Sequence, residues 1–166
     1  MQITLAHVVV QELSNMSPNA AAAVYLRMGY THVLPLGFDH ILFILSLLLL
    51  STRLKPLLWQ ATAFTVAHSL SLALAMYNIV NVPSSVIEPL ISFSICLVAL
   101  ENIFFPKLRP SRIVIVFIFG LVHGLGFAEA LTSIGLSKSN YLFALLFFNV
   151  GVELAQVTVI VVGYFY

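Results

Sequence analysis

The chain has 166 residues, of which 61% are hydrophobic and 8% charged, and a formal net charge of +1. Soluble domains carry about 25% charged residues. This composition, with a mean hydropathy of +1.07, therefore excludes a soluble domain and predicts a compact integral membrane protein whose first partner is the lipid bilayer. The near-zero charge leaves no electrostatic footprint for nucleic acid, and the single cysteine, Cys96, excludes an internal disulfide and a thiolate metal site.

Residues 1–16 set Ile3, Leu5, Val8, Val9 and Leu13 on one face of a short helix. They lack a basic n-region and carry Glu12, so they do not read as a cleavable signal peptide. Pro18 opens a second stretch, Asn19 to Thr31, where apolar residues mix with Arg27 and two tyrosines, as in an interfacial helix. Residues 1–34 are accordingly read as an extracytoplasmic, interfacial segment, and 35–166 as a transmembrane bundle. The predicted fold is all-α, with about five membrane helices: Pro35 to Thr52, Leu57 to Tyr77, Val82 to Phe105, Ile113 to Leu131 and Tyr141 to Tyr166. Pro56, Pro83, Pro106 and Pro110 fall at their boundaries, where a missing N–H does least harm.

Five of the seven Lys/Arg lie in two loops, Arg53 and Lys55 in one, and Lys107, Arg109 and Arg112 in the other. The positive-inside rule puts loops 53–56 and 106–112 in the cytoplasm and the N-terminus outside, in a cell (inner) membrane.

Against that frame the polar residues fall into a layer. At a rise of about 1.5 Å per residue, His40 lies roughly 20 Å from the inner face counted from Arg53. His68 lies roughly 20 Å from it counted from Lys55, and His123 roughly 16 Å counted from Arg112. Asp39 stands beside His40, so three helices bring Asp39, His40, His68 and His123 within about one turn in depth. Asn149, Glu153 and Gln156 share one face of the last helix and can border the same cavity. Ionisable groups at such depth face a bundle interior or water cavity and bind something. Imidazole with carboxylate suits Ni²⁺, Co²⁺, Zn²⁺ or Fe²⁺. His32 and Glu88 are further candidate ligands near the outer side.

Blander roles compete for several of these residues. A single buried histidine is often only hydrogen-bonded in a core, and Asp39-His40 also fits a helix-start cap after Gly37. Glu101-Asn102 fits an interface marker, and Glu129 a solvated helix end. Gly120 and Gly124 form a small-xxx-small pair, which means close helix packing. Phe147-Phe148 fits lipid or packing surface, and His7 has no helper nearby.

The stretches that hold these residues resemble the HupE/UreJ family of membrane proteins. They are Gly29 to Phe43, with His32, Asp39 and His40; Thr62 to Ser69, with His68; and Val86 to Pro89, with Glu88. Ala99 to Asn102, Gly120 to Ala128 with His123, and Phe148 to Gln156 with Asn149 and Glu153 complete the set. The resemblance spans residues 25 to 160 and implies a nickel or cobalt permease, associated in the family with hydrogenase and urease systems.

Two mechanisms follow. In a permease, His32, Asp39 and His40 capture the ion, His68 and His123 pass it on, and it leaves past Glu153 and Glu101. Five spans are few for alternating access, so a homo-oligomer or an extra helix is expected. In an intramembrane hydrolase, three histidines hold Zn²⁺ with one position left for water, and Asp39 or Glu153 is the general base acting on a lipid or membrane-tethered peptide.

Overall fold

The computed structural model describes residues 16–51, 53–105, 109, 111–133 and 140–165. The expectations for residues 1–15, Lys107 and Lys138, and for the side chain of Glu129, lie outside the described residues. Six helices and no strand are found among those described: α1 (Pro18–Val33), α2 (Phe38–Leu48), α3 (Leu54–Met76), α4 (Ser84–Phe104), α5 (Arg112–Ser133) and α6 (Tyr141–Phe165).

The start of the bundle departs from the expected continuous helix Pro35 to Thr52. Pro35 has no N–H, and the residue before a proline avoids helical geometry. Accordingly α1 ends at Val33, with Leu34 extended. The chain turns through residues 34–37, and α2 runs for only 11 residues. A helix of that length covers about 16 Å, half the hydrocarbon thickness. By length and composition three helices among the described residues can cross a membrane, α3, α4 and α6, or four if α1 and α2, bent by 65°, form one broken span. The described residues thus give three or four of the five expected spans. Helix α5 is 22 residues long and carries the apolar stretch Arg112–Ala128.

Two tight helix pairs organise the packing. On α5, Gly120 lies so close to α3 that an added Cβ would stand 2.5 Å from the carbonyl oxygen of Phe64. A Cβ on Gly124 would overlap the Ser71 hydroxyl and the His68 carbonyl. The close packing expected of this small-xxx-small pair is what the structure has. The second pair was not foreseen: Gly29 on α1 abuts the Phe148 backbone of α6, and Gly151 on α6 abuts Leu26 and Tyr30 of α1. Residues 18–33 are thus part of the bundle, with Tyr25, Gly29 and Val33 buried. Helix α6 also packs on α2 and α3, and α4 joins α2 to α5. Outward, Leu49, Trp59, Phe93, Ile103, Leu142 and Phe165 are exposed, an apolar exterior suited to lipid.

Arg112, expected in a cytoplasmic loop, is instead 1% exposed. Its Nε donates to Gln60 Oε1 at 3.1 Å and its Nη1 to Asn102 Oδ1 at 2.8 Å, while Nη1 lies 3.4 Å from Glu101 Oε2. Asn102 in turn donates to the carbonyl of Ser46 at 2.6 Å. One guanidinium thereby ties α2, α3, α4 and α5 together, and Glu101-Asn102 are structural partners of it. Replacing Arg112 by methionine strands Gln60, Asn102 and Glu101 at once. A loss of about 3 kcal/mol is expected, read as a fall in the thermal midpoint in detergent, with Arg112→Lys intermediate.

Candidate metal centre

Four histidines from four helices converge in the bundle. His32 comes from the last turn of α1 and His40 from the first turn of α2, so the turn at 34–37 folds one back on the other. Their ring centres are 4.8 Å apart. His68 of α3 lies 6.1 Å from His32 and 6.0 Å from His40, and His123 of α5 lies 5.4 Å from His40. One ring nitrogen from each of His32, His40 and His68 lies within 4.8 Å of the other two. His123 stands beside this trio, against His40.

The hydrogen bonds fix the tautomers of three rings. His40 Nδ1 donates to the Asp39 carboxylate at 3.1 Å. His123 Nδ1 donates to the Phe119 carbonyl at 2.8 Å, and a carbonyl can only accept. Asn149 uses its Nδ2 to donate to Leu145 O at 2.8 Å, which turns its Oδ1 toward His68 Nδ1 at 3.2 Å. Each of these rings therefore carries its proton on Nδ1 and a free lone pair on Nε2. Nε2 of His32, His40, His68 and His123 is buried and without a hydrogen-bond partner. A buried unsatisfied polar atom costs about 1–3 kcal/mol, so four in one place require a reason. A ligating histidine has this arrangement, one nitrogen on the metal and the other donating to an oxygen.

Aromatic rings wall the site off. Phe127 lies 4.0 Å from His32, and Phe148 stacks on both Phe127 and His68. Phe64 and Phe43 close the side at His40 and His123. A cavity of about 380 Å³ lined by Met28, Thr31, Leu36 and Gly37 reaches His32 and Asp39. Asp39, 36% exposed, is the charged group at that mouth. No side chain caps α2 at Gly37, and Asp39 spends its bond on His40, which sets aside the capping role considered for it.

Among the other candidates, Glu88 is exposed on α4 and does not join the trio. Asn149 acts as the acceptor that orients His68. Glu153, one turn on, accepts from Thr62 at 2.7 Å and Thr65 at 2.5 Å and is not part of the trio. Phe148, read in the sequence as packing surface, is a wall of the site. Its signal was the neighbour Asn149, since a polar residue inside an apolar helix marks the inward face.

A family model described as HupE / UreJ protein matches residues 7–165. The chain belongs to the HupE/UreJ family. No match is found among curated proteins or solved structures. Every histidine of the cluster falls inside the matched region of this HupE/UreJ chain, as do Asp39 and Asn149.

Proposed function

We propose that this HupE/UreJ protein is a divalent-metal permease, with nickel or cobalt as its cargo. The observation that carries the proposal is the group of inward, unpartnered Nε2 atoms, three of whose rings lie within reach of one ion. Imidazole nitrogens suit these metals, and the group contains no cysteine among the described residues to favour Cu(I). Metal–nitrogen bonds of about 2.0–2.1 Å bring ligands to roughly 3.4 Å from one another. The ring nitrogens of His32, His40 and His68, within 4.8 Å of one another, have to draw closer to hold the ion, with His123 as the next station. Asp39, at the mouth, supplies the charge that offsets bringing a dication out of water.

The break between α1 and α2 supports transport over a closed structural site. Transporters build midplane sites from discontinuous helices, and His32, Asp39 and His40 flank such a break here. We place the protein in the inner membrane with its N-terminus outside and the two basic segments, 53–56 and 106–112, on the cytoplasmic side, on the distribution of Lys/Arg. Arg112 lies about 16 Å along α5 from His123, so a fixed positive charge stands on the inward route and release needs a second conformation. Helix α4 buries only Ile87, Ser94 and Val98, which leaves a face for a second copy.

The test is uptake of Ni²⁺ or Co²⁺ into vesicles holding the purified protein and a trapped indicator. Uptake by the wild type, lost in His68→Ala and lowered about 10–100-fold in Asn149→Leu with helix content unchanged, is expected. Uptake retained in His68→Ala overturns the proposal. So does metal-dependent cleavage of a lipid or membrane-tethered peptide without uptake, which makes the trio a zinc hydrolase site with Asp39 as base.

A further inference from the structure

Between α3 and α6 runs a second cavity, a groove of about 540 Å³ that opens sideways and is lined mostly by apolar side chains. Glu153, midway along α6, is its single titratable side chain among the described residues. Neither α1 nor α2, the other helices packed on α6, contributes a charged or titratable group to its lining. His68, one turn from Thr65 on α3, is buried and engaged with Asn149. An ionisable side chain inside a membrane span is a candidate functional site by default.

The two threonines around Glu153 show what it is built for. Thr62 Oγ1 lies 2.7 Å from Oε1 and Thr65 Oγ1 lies 2.5 Å from Oε2. Thr65 Oγ1 is also 3.2 Å from the carbonyl oxygen of Ala61. A hydroxyl has one hydrogen and two lone pairs, so Thr65 cannot donate fully to both oxygens. With Glu153 ionised, Thr65 donates to the carboxylate. With Glu153 protonated, the acid donates to Thr65, which turns its own hydrogen to Ala61. Both states are satisfied without moving a heavy atom.

We infer that Glu153, with Thr65 as a two-way hydroxyl partner, is a proton-binding site facing the lipid, separate from the histidine trio. It sits one turn from Asn149, so the proton-loaded and proton-free states of α6 adjoin the residue that holds His68.

A hydrophobic carbodiimide tests this in the full-length protein in lipid vesicles. Such a reagent reacts with a protonated carboxyl: one nitrogen takes the proton and the carboxylate oxygen bonds to the central carbon. The O-acylisourea then rearranges to an N-acylurea, and the adduct keeps every atom of both partners. Mass mapping is expected to find one intact reagent on Glu153, with labelling that falls as pH rises and vanishes in Glu153→Gln. Thr65→Val removes a donor that helps the anion more than the neutral acid. Labelling at a fixed pH should then rise above the wild-type level, and Thr65→Ser should restore that level. An unlabelled Glu153 beside other labelled carboxyls, labelling indifferent to pH, or no change in Thr65→Val would overturn the inference. Retention of Ni²⁺ by Glu153→Gln is expected to match the wild type. Its loss would make Glu153 a metal ligand and end the separation of the two sites, whereas failure of the permease alone leaves the labelling result standing.

Discussion

Purified protein carrying His40→Ala is expected to lose metal binding almost completely, with affinity down by at least about a thousandfold. Removing a group that only orients a ligand costs about 10–100-fold, and His40 is a proposed ligand whose own orienting partner, Asp39, is stranded by the change. His40 also touches both His32 and His123, so no neighbouring imidazole replaces it without breaking its own place in the cluster. The measurement is equilibrium dialysis against Ni²⁺ or Co²⁺, paired with thermal unfolding in detergent. At a free metal concentration 100 times Kd, bound metal stabilises the wild type by about 2.7 kcal/mol, and the His40→Ala midpoint should not move. The metal-free comparison runs the other way for His32→Leu. That change removes a buried, unpartnered nitrogen, so the metal-free variant should be at least as stable as the wild type while binding no metal. Equal metal-induced shifts in wild type and His40→Ala would remove the histidines from the site.

Much of this centre was legible in the sequence because depth in a membrane is legible. A helix rises by a fixed amount per residue, basic loops give the zero of the ruler, and the histidines of α2, α3 and α5 then share a level. What the ruler cannot give is rotation about each helix axis or the path of the chain through a turn. His32 therefore ranked as an outer accessory, although the turn at Leu34 to Gly37 folds it directly onto His40. The same turn takes Pro35 to Gly37 out of the span expected from Pro35 to Thr52, so that α2 starts only at Phe38. Arg112 misled for a different reason: the positive-inside rule counts a charge near the interface and says nothing about whether Gln60 and Asn102 will receive it inside. The orientation of Asn149 toward His68 needed the packing of α6 on α3, which no local pattern contains.

That packing is most exposed at Gly29. A Cβ there would overlap the carbonyl of Phe148, which belongs to the backbone of α6 and cannot swing aside as a side chain can. Gly29→Ala must therefore push α1 away from α6. Overpacking costs about 1–3 kcal/mol where side chains yield, and a backbone-to-backbone collision belongs at the top of that range or above, about 3 kcal/mol or more. His32 sits three residues on and rides with α1, so metal affinity should fall together with stability although the substitution touches no ligand. Gly126→Ala is the control within the same protein. Its Cβ would meet Ile91 Cδ1, the far end of a flexible side chain, at 2.9 Å, and the Ile87 Cγ2 methyl, which has only a few tenths of an ångström to give, at 3.2 Å, and alanine regains about 1 kcal/mol of helix propensity. Gly126→Ala should therefore leave the thermal midpoint and metal affinity within about 1 kcal/mol of the wild type. Equal effects of the two substitutions would mean that α1 is not seated on α6 through Gly29, and His32 would then lose the support that holds it over His40 and His68.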